Sequence, residues 1–332
     1  MSKMVKSRPK FVMFLIRLFA PITRAYRAYV TSPKTRKLRK YGPPILLLSP
    51  SIILVGIFVY TLIGRSISMS MTDSYTFAQM VGAVPTETVW FDNYVTLLTS
   101  ENFLHSLQNL LLYTVVFIAG TLVMGFIWAW ALDRRSRAEG IFRSLYLFPM
   151  AVSSVAAGVV WRWLLNANQG NQASGLNRLF QNIGLGFLQN GWTTNVTFGI
   201  TAIALPAIWQ MSGYVMALFL AGFRGISDDM REAARVDGAS EWQLYRHVLF
   251  PQLSPIALSA LIILGHMSLK VFDLVVAVTD KHFYPTQVPA ITMYNYMNAG
   301  NYAMASAVGV ILLVIIAIFI VPYLIHVGKE AK

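Results

Sequence analysis

Residues 102–132 read NFLHSLQNLLLYTVVFIAGTLVMGFIWAWAL, a run between Glu101 and Asp133 with no Asp, Glu, Lys or Arg. A helix crossing the hydrocarbon core of a bilayer needs about 20 mostly apolar residues. This run is longer than that. Charge-free stretches also separate Lys40 from Arg65, Arg178 from Arg224, and Lys281 from Lys329. The last two open with polar Gly/Asn and Pro/Asn segments, which read as loops leading into spans. Six spans follow, at roughly 44–64, 106–131, 144–165, 197–221, 256–278 and 303–325. The expected fold class is all-α, a polytopic membrane protein with six transmembrane helices.

Composition agrees. Charged residues make up 12% of the 332 and hydrophobic residues 56%, against roughly 25% charged in soluble domains. Mean hydropathy is +0.55. A disordered chain is excluded, because such chains are polar and charge-rich. With no cysteine, a disulfide scaffold and a thiolate metal site are excluded too.

A net charge of +13 suits nucleic acid until its placement is read. Twelve basic residues precede the first span, four lie in 132–143, four in 222–255 and two at the C-terminus, together 22 of 27. The intervening loops carry one each: Arg65, Arg178 and Lys281. This is the alternation of the positive-inside rule. It puts both termini in the cytoplasm and makes the lipid bilayer, not nucleic acid, the partner of the charge.

The expected organisation is a basic segment at 1–43, a membrane domain at 44–326 with a cytoplasmic loop at 223–255, and a tail at 327–332. Within the first segment, Lys10, Arg17 and Arg24 recur every seven residues beside Phe11, Phe14, Leu15, Leu18, Phe19 and Ile22. That pattern fits an interfacial amphipathic helix on anionic lipid. It also fits a plain basic tail. No cleavable signal peptide is evident.

Chemistry is sparse. There is no phosphate loop, no H-E-x-x-H and no G-x-S-x-G. The histidines His105, His247, His266, His282 and His326 are scattered without a ligand spacing. The expectation is a non-hydrolytic conduit with no cofactor or metal of its own.

The cytoplasmic loop is unusual. Ser227 is placed to cap a helix whose first turn holds Asp228 and Asp229, and these with Glu232 suit its positive end. Met230, Ala233, Ala234 and Val236 give it an apolar side. Gly238 stops it, Ser240 starts a second helix, and Pro251 and Pro255 bend the chain before the fifth span. A docking surface and a hairpin lying on the membrane are both open on this evidence.

Glu232-Ala233-Ala234, then Asp237-Gly238-Ala239, then Tyr245, Val248 and Pro251 resemble the EAA motif of binding-protein-dependent ABC importer permeases. Phe250 stands where the motif usually has Leu. Trp90-Phe91-Asp92-Asn93-Tyr94 with Phe103 and Asn109 is similar to the approach to the second span in carbohydrate permeases. Pro206-Ala207-Ile208-Trp209-Gln210, then Gly213, Tyr214 and Leu220-Ala221-Gly222-Phe223, resembles their fourth span. The resemblance runs from about 44 to 325 and is of the MalF/UgpA-like type.

It implies the type I importer permease fold in a bacterial inner membrane. It also implies a second homologous permease, an ATPase homodimer or heterodimer that uses ATP and Mg, and a periplasmic sugar-binding protein. Asp228, Asp229, Glu232, Ala233, Ala234, Asp237, Gly238 and Ala239 would form the element that couples to the ATPase.

Candidate pathway residues follow from cost. Lys270 and Asp273 fall within the fifth span, where charge normally faces protein or water. At a spacing of three they would share a helix face and could pair, with His266 one turn earlier. Either a polar lining or a structural ion pair fits. Trp209, Gln210, Tyr214 and Phe272 offer the flat apolar faces and fixed polar groups that a sugar needs. Interface anchoring and interhelical hydrogen bonding explain the same residue types. Trp128, Trp130, Trp161 and Trp163 are assigned to packing. Ala156, Ala157 and Gly158, and Ala305 with Gly309, mark close helix approaches within or between chains. Loop 166–196 suits docking, gating or plain solubility. The rival functions are an importer of an amino acid or other small polar solute, a secondary transporter, which discontinuous helices would favour, and a scaffold without a cavity.

Overall fold

The computed structural model describes residues 36–133 and 139–330. The proposed interfacial helix at 11–22, Arg134, Arg135, Arg137 and Lys332 lie outside the described residues. The chain falls into two units, divided after Arg65.

The described residues of the first unit hold α1 (Arg36–Leu54), a π-helical turn at Val55–Tyr60 and the start of α2 (Thr61–Ser70), which ends in the second. Pro50 sits inside α1 and has no N–H for the Leu46 carbonyl. The Ser49 hydroxyl donates to that carbonyl at 2.9 Å instead.

The second unit holds α3 (Phe77–Met80), α4 (Asp92–Thr99), α5 (Glu101–Asp133), α6 (Glu139–Ala151), α7 (Ser154–Leu164) and α8 (Gly175–Asn182). It continues with α9 (Gly199–Gly225), α10 (Asp228–Val236) and α11 (Glu241–Gln243). A π-helical stretch at Leu244–Leu249 leads to α12 (Phe250–Gln252), and α13 (Ser254–Ser268), α14 (Asp273–Val278), α15 (Pro289–Asn298) and α16 (Tyr302–Glu330) complete it. Among the described residues, the β pairing is one antiparallel bridge, Thr72 to Thr88.

Four helical stretches are long and apolar enough to cross a membrane: Tyr41–Ser70, Glu101–Asp133, Gly199–Gly225 and Tyr302–Tyr323. Two bent pairs raise the number to as many as six. The architecture is therefore all-α and multi-pass.

The central pair is α5 and α9. Phe117, Ile203, Val215, Met216, Phe219 and Phe223 are buried in the core between these and neighbouring helices. Buried aliphatic and aromatic side chains each contribute roughly 1.5–3 kcal/mol in water. In lipid the same contacts act through dispersion and close fit. Gly158 on α7 meets Ala277 on α14 so closely that a Cβ there would clash. Gly309 faces the Met293 sulfur across the α15–α16 contact. The Ala305–Gly309 seam is thus an intrachain one.

Two expected spans are not single helices. The third breaks at Val152 and Ser153, and α6 and α7 diverge by 97°. Pro149 interrupts the bonding ladder before the break, and Ser153 caps α7 by accepting from the Ala156 N–H at 3.2 Å. The fifth span follows a bend of 64° between Gln252 and Ser254. It breaks after Ser268, and a non-helical step over 269–272 separates α13 from α14. Regular backbone is interrupted in a membrane only where protein or a water-filled cavity satisfies the freed groups. Both breaks mark the same place in the fold.

On the side away from the basic loops, Asn177 organises the Asn-rich loop. Its Nδ2 donates to the carbonyls of Asn166, Asn168 and Asn190 at 3.1, 3.0 and 2.9 Å. Its Oδ1 accepts from the Asn190 N–H and from Trp192 Nε1. Asn109 on α5 donates to the carbonyls of Pro285 and Gln287 at 3.2 and 2.9 Å. That ties the second span to the loop after α14.

Candidate functional site

The two breaks converge on a cavity of about 350 Å³. Tyr113 and Phe117 of α5 face it, as do Gln210 of α9 and Lys270, Phe272 and Asp273 of the fifth-span break. Gln210 is largely buried, and its Nε2 donates to the Val152 carbonyl at 2.9 Å. That carbonyl lies at the break of the third span, so a side chain of α9 satisfies a group that the break exposed. Asp273 occupies the first turn of α14, where a carboxylate meets the positive end of the helix.

Several expectations need correction. Lys270 and Asp273 do not share a helix face, because Lys270 lies in the non-helical step and Asp273 begins a new helix. Among the described residues no ion pair joins them. Both are exposed to the cavity instead. His266 turns elsewhere, into a small apolar pocket with Thr114, Ile118, Leu261 and Ile316. Its Nδ1 is buried there without a hydrogen-bond partner among the described residues. Trp209 packs its ring 6.2 Å from that of Trp161. Neither Trp209 nor Tyr214 lines the cavity. Tyr113, Phe117, Ser154 and Met211 do, and sequence reasoning passed over them. Tyr113 and Phe117 are spaced by four on α5, a signal identical to that of ordinary packing.

The second locus is the loop on the basic side. Its local structure follows from its residues. Ser227 occupies the N-cap position of α10, but its side chain makes no capping bond. Gly238 has φ +84°, a left-handed conformation that glycine adopts without strain. The Ala239 N–H donates to the Ala234 carbonyl at 3.0 Å, closing the helix end. Ser240 and Gln243 then form a reciprocal capping box. The apolar side expected for α10 is split. Ala234 packs against the core, whereas Val236 is 87% exposed and Ala233 is exposed beside it. Asp228, Asp229, Glu232, Asp237 and Gly238 are exposed as well, and Ala239 is half-buried.

Arg231 points the other way. It donates to Asp133, at the end of α5, over 2.8 Å, and to the Phe223 carbonyl, near the end of α9, over 2.6 Å. The Tyr245 hydroxyl also donates to Asp133, at 2.6 Å. The Asp133 and Arg231 side chains are 4% and 13% exposed. Burial by itself lowers the Arg231 guanidinium, but the hydrogen bond and charge of Asp133 outweigh it and raise the group above its ordinary range. Nearby, Glu139 at the start of α6 pairs with Arg224 at 2.7 Å and Arg143 at 2.9 Å. Among the described residues, no cluster of three or more His, Cys, Asp or Glu is placed to hold a metal ion.

Residues 121–326, which include α10, the clasp around Asp133 and the cavity lining other than Tyr113 and Phe117, match the family of binding-protein-dependent transport system inner membrane components. The chain belongs to that family. It is a permease subunit of an ABC importer, and ATP hydrolysis belongs to a separate component of such a system. A probable ABC transporter permease of Pyrococcus horikoshii is 38% identical over 84% of this chain and 94% of its own length. A xylose/arabinose import permease of Haloferax volcanii is 32% identical over 92% of each. The crystal structure of a bacterial ABC transporter involved in import of the acidic polysaccharide alginate contains a chain with the same fold. Its TM-score is 0.71 at 20% identity, covering 90% of this chain and 99% of that one. Relatives occur in archaea and bacteria alike, such as Haloferax and Synechocystis. The broken third and fifth spans are thus a feature of this importer permease, although the sequence argument had associated broken helices with secondary transporters.

Proposed function

We propose that this permease carries a carbohydrate, an oligosaccharide or glycoside, which a periplasmic binding protein delivers. The observation that supports this is the lining of the 350 Å³ cavity. Phe117, Phe272 and Tyr113 supply flat apolar surface, and Gln210, Lys270, Asp273 and Ser154 supply donors and acceptors. Sugar rings need both kinds of group at once. The two unpaired charges of opposite sign suit a neutral, hydroxyl-rich solute. Relatives named for sugars point the same way, including a trehalose/maltose permease of Thermococcus litoralis and an alpha-glucoside permease of Rhizobium meliloti.

In this reading the segment 1–43 and the tail 327–332 lie in the cytoplasm of a bacterial or archaeal cell, flanking the membrane domain 44–326. A second homologous permease completes the pathway, and an ATPase dimer supplies energy from ATP and Mg. The coupling loop 223–255 meets that ATPase through the exposed face of α10, with Glu232 and Gly238 central. Closure of the ATPase pushes α10 and exchanges inward-open for outward-open spans, a reciprocal link between nucleotide state and gate state.

The test is uptake by the full complex in vesicles loaded with ATP and Mg, offered xylose, maltose, glutamine or phosphate. Uptake of one of the sugars, lost in Asp273→Asn, is the expected result. Uptake of glutamine or phosphate with neither sugar carried would overturn the carbohydrate reading.

A further inference from the structure

The clasp at Asp133 has no part in the cavity, and its residues lie on the inner face of α10, away from the exposed face read as the ATPase contact. Asp133 closes a helix with a negative charge, which is unfavourable at the negative end of the dipole. The cost is offset in one place, by Arg231 from α10 and Tyr245 from the π-helical stretch. Arg231 reaches a third element through the Phe223 carbonyl of α9. Four segments therefore meet on one nearly buried carboxylate: the ends of the second and fourth spans, α10 and the start of the fifth-span approach. A nearly buried, hydrogen-bonded ion pair holds its register because either partner left alone would be an uncompensated charge.

We propose that Asp133 is a positioning residue that joins α10 and the second span into one rigid body, so that movement of the coupling element becomes movement of the cavity wall. Tyr113 and Phe117 sit on that same helix, α5, and face the cavity. The chain of contact is short: α10 to Arg231, Arg231 to Asp133, Asp133 along α5 to the cavity. Glu139 lies beside it, and its pairs with Arg224 and Arg143 join α6 to α9 and to α6 itself. The inference rests on the reading of the exposed α10 face as the ATPase contact.

This chain has no cysteine, so pairs of engineered cysteines can be spin-labelled cleanly in the full importer complex with cysteine-free partners. Val123→Cys with Val236→Cys spans the clasp, both positions being exposed. Leu104→Cys with Phe187→Cys reports the far side. Distances are measured in vesicles before and after trapping with ATP, Mg and vanadate. In the native background the pair across the clasp keeps one narrow distance in both states, while the far pair shifts. Asp133→Asn broadens the first distribution to about twice its width or more, as two bodies come to move independently. It also abolishes the far shift while ATP hydrolysis continues. Asp133→Glu restores the far shift.

Tyr245→Phe keeps the ion pair and removes one donor. It broadens the first distribution less, and it carries the test if Asp133→Asn does not assemble. A distance across the clasp that changes between states in the native background, or an unaltered far shift in both variants, overturns the proposal. Failure of Val236→Cys to cross-link to an ATPase given one engineered surface cysteine overturns instead the assignment of the α10 face, and the width measurement still judges the clasp.

Discussion

Gln210 of the fourth span donates a hydrogen bond to the carbonyl of Val152, the residue at which the third span breaks. The bond is 2.9 Å long, and Gln210 is 7% exposed. The side chain thus supports the broken helix and lines the cavity at the same time. Gln210→Leu would remove the protein donor from a half-buried carbonyl at the cavity edge, at a cost of about 1 kcal/mol. Thermal unfolding of the purified complex should show a lower midpoint, with uptake reduced in proportion to the cavity's disorder. An unchanged midpoint would assign the Val152 carbonyl another donor.

Asp133 and Arg231 should be strongly non-additive. Arg231→Met leaves Asp133 buried with only the Tyr245 hydroxyl, and loss of one partner of such a pair costs about 3–5 kcal/mol. The double variant Asp133→Asn with Arg231→Met removes both charges and should cost less than the single variants summed. Denaturation of the four variants completes the cycle, and additive effects would mean that the pair contributes no coupling.

Gly238 offers a graded series. Its φ of +84° is open to glycine, tolerated by Asn and strained for a β-branched residue. Gly238→Asn should retain most transport per ATP hydrolysed. Gly238→Val should lose most of it while the complex still assembles. Equal behaviour of the two variants would show that the left-handed turn does not govern coupling.

Lys270 and Asp273 both line the cavity, and no ion pair joins them among the described residues. Each neutral variant, Lys270→Met or Asp273→Asn, should lower sugar uptake by about tenfold or more, the loss of roughly one good charged hydrogen bond. The exchanged pair, Lys270→Asp with Asp273→Lys, should not recover it. Recovery in uptake assays would indicate an ion pair that forms during the cycle.

Asn177 holds the outer loop through five contacts, three donated and two accepted. Arg178 next to it is already exposed, and Asn177→Ala should loosen the backbone around it. Trypsin added outside right-side-out vesicles should then cut at Arg178 about tenfold faster or more, since each lost bond contributes roughly 1 kcal/mol. Equal cleavage rates would show that the neighbouring 3₁₀ turns, Gly170–Gln172, Gly186–Leu188 and Trp192–Thr194, hold the loop without it.

The span count and the motif around Glu232 to Gly238 were legible in the sequence for a simple reason. A bilayer imposes a length of apolar residues, and a helix end imposes capping residues and a glycine; both are local demands. Gly238 and the Ser240 capping box were therefore found where the residues indicated. Even local rules were incomplete, since Ser227 holds the cap position without the bond. What a side chain meets across the bilayer is not local. A spacing of three implied one face for Lys270 and Asp273, but the helix stops at Ser268, and the two charges turn into a cavity rather than toward each other. His266, a residue of the preceding turn, faces a different pocket. Asp133 and Arg231 lie 98 positions apart, and no periodicity links them. Sequence alone determined which segments are long and apolar enough to enter a membrane. Only tertiary packing decided where those segments break and which distant groups satisfy the exposed backbone and the buried Asp133 carboxylate, because those partners come from other helices.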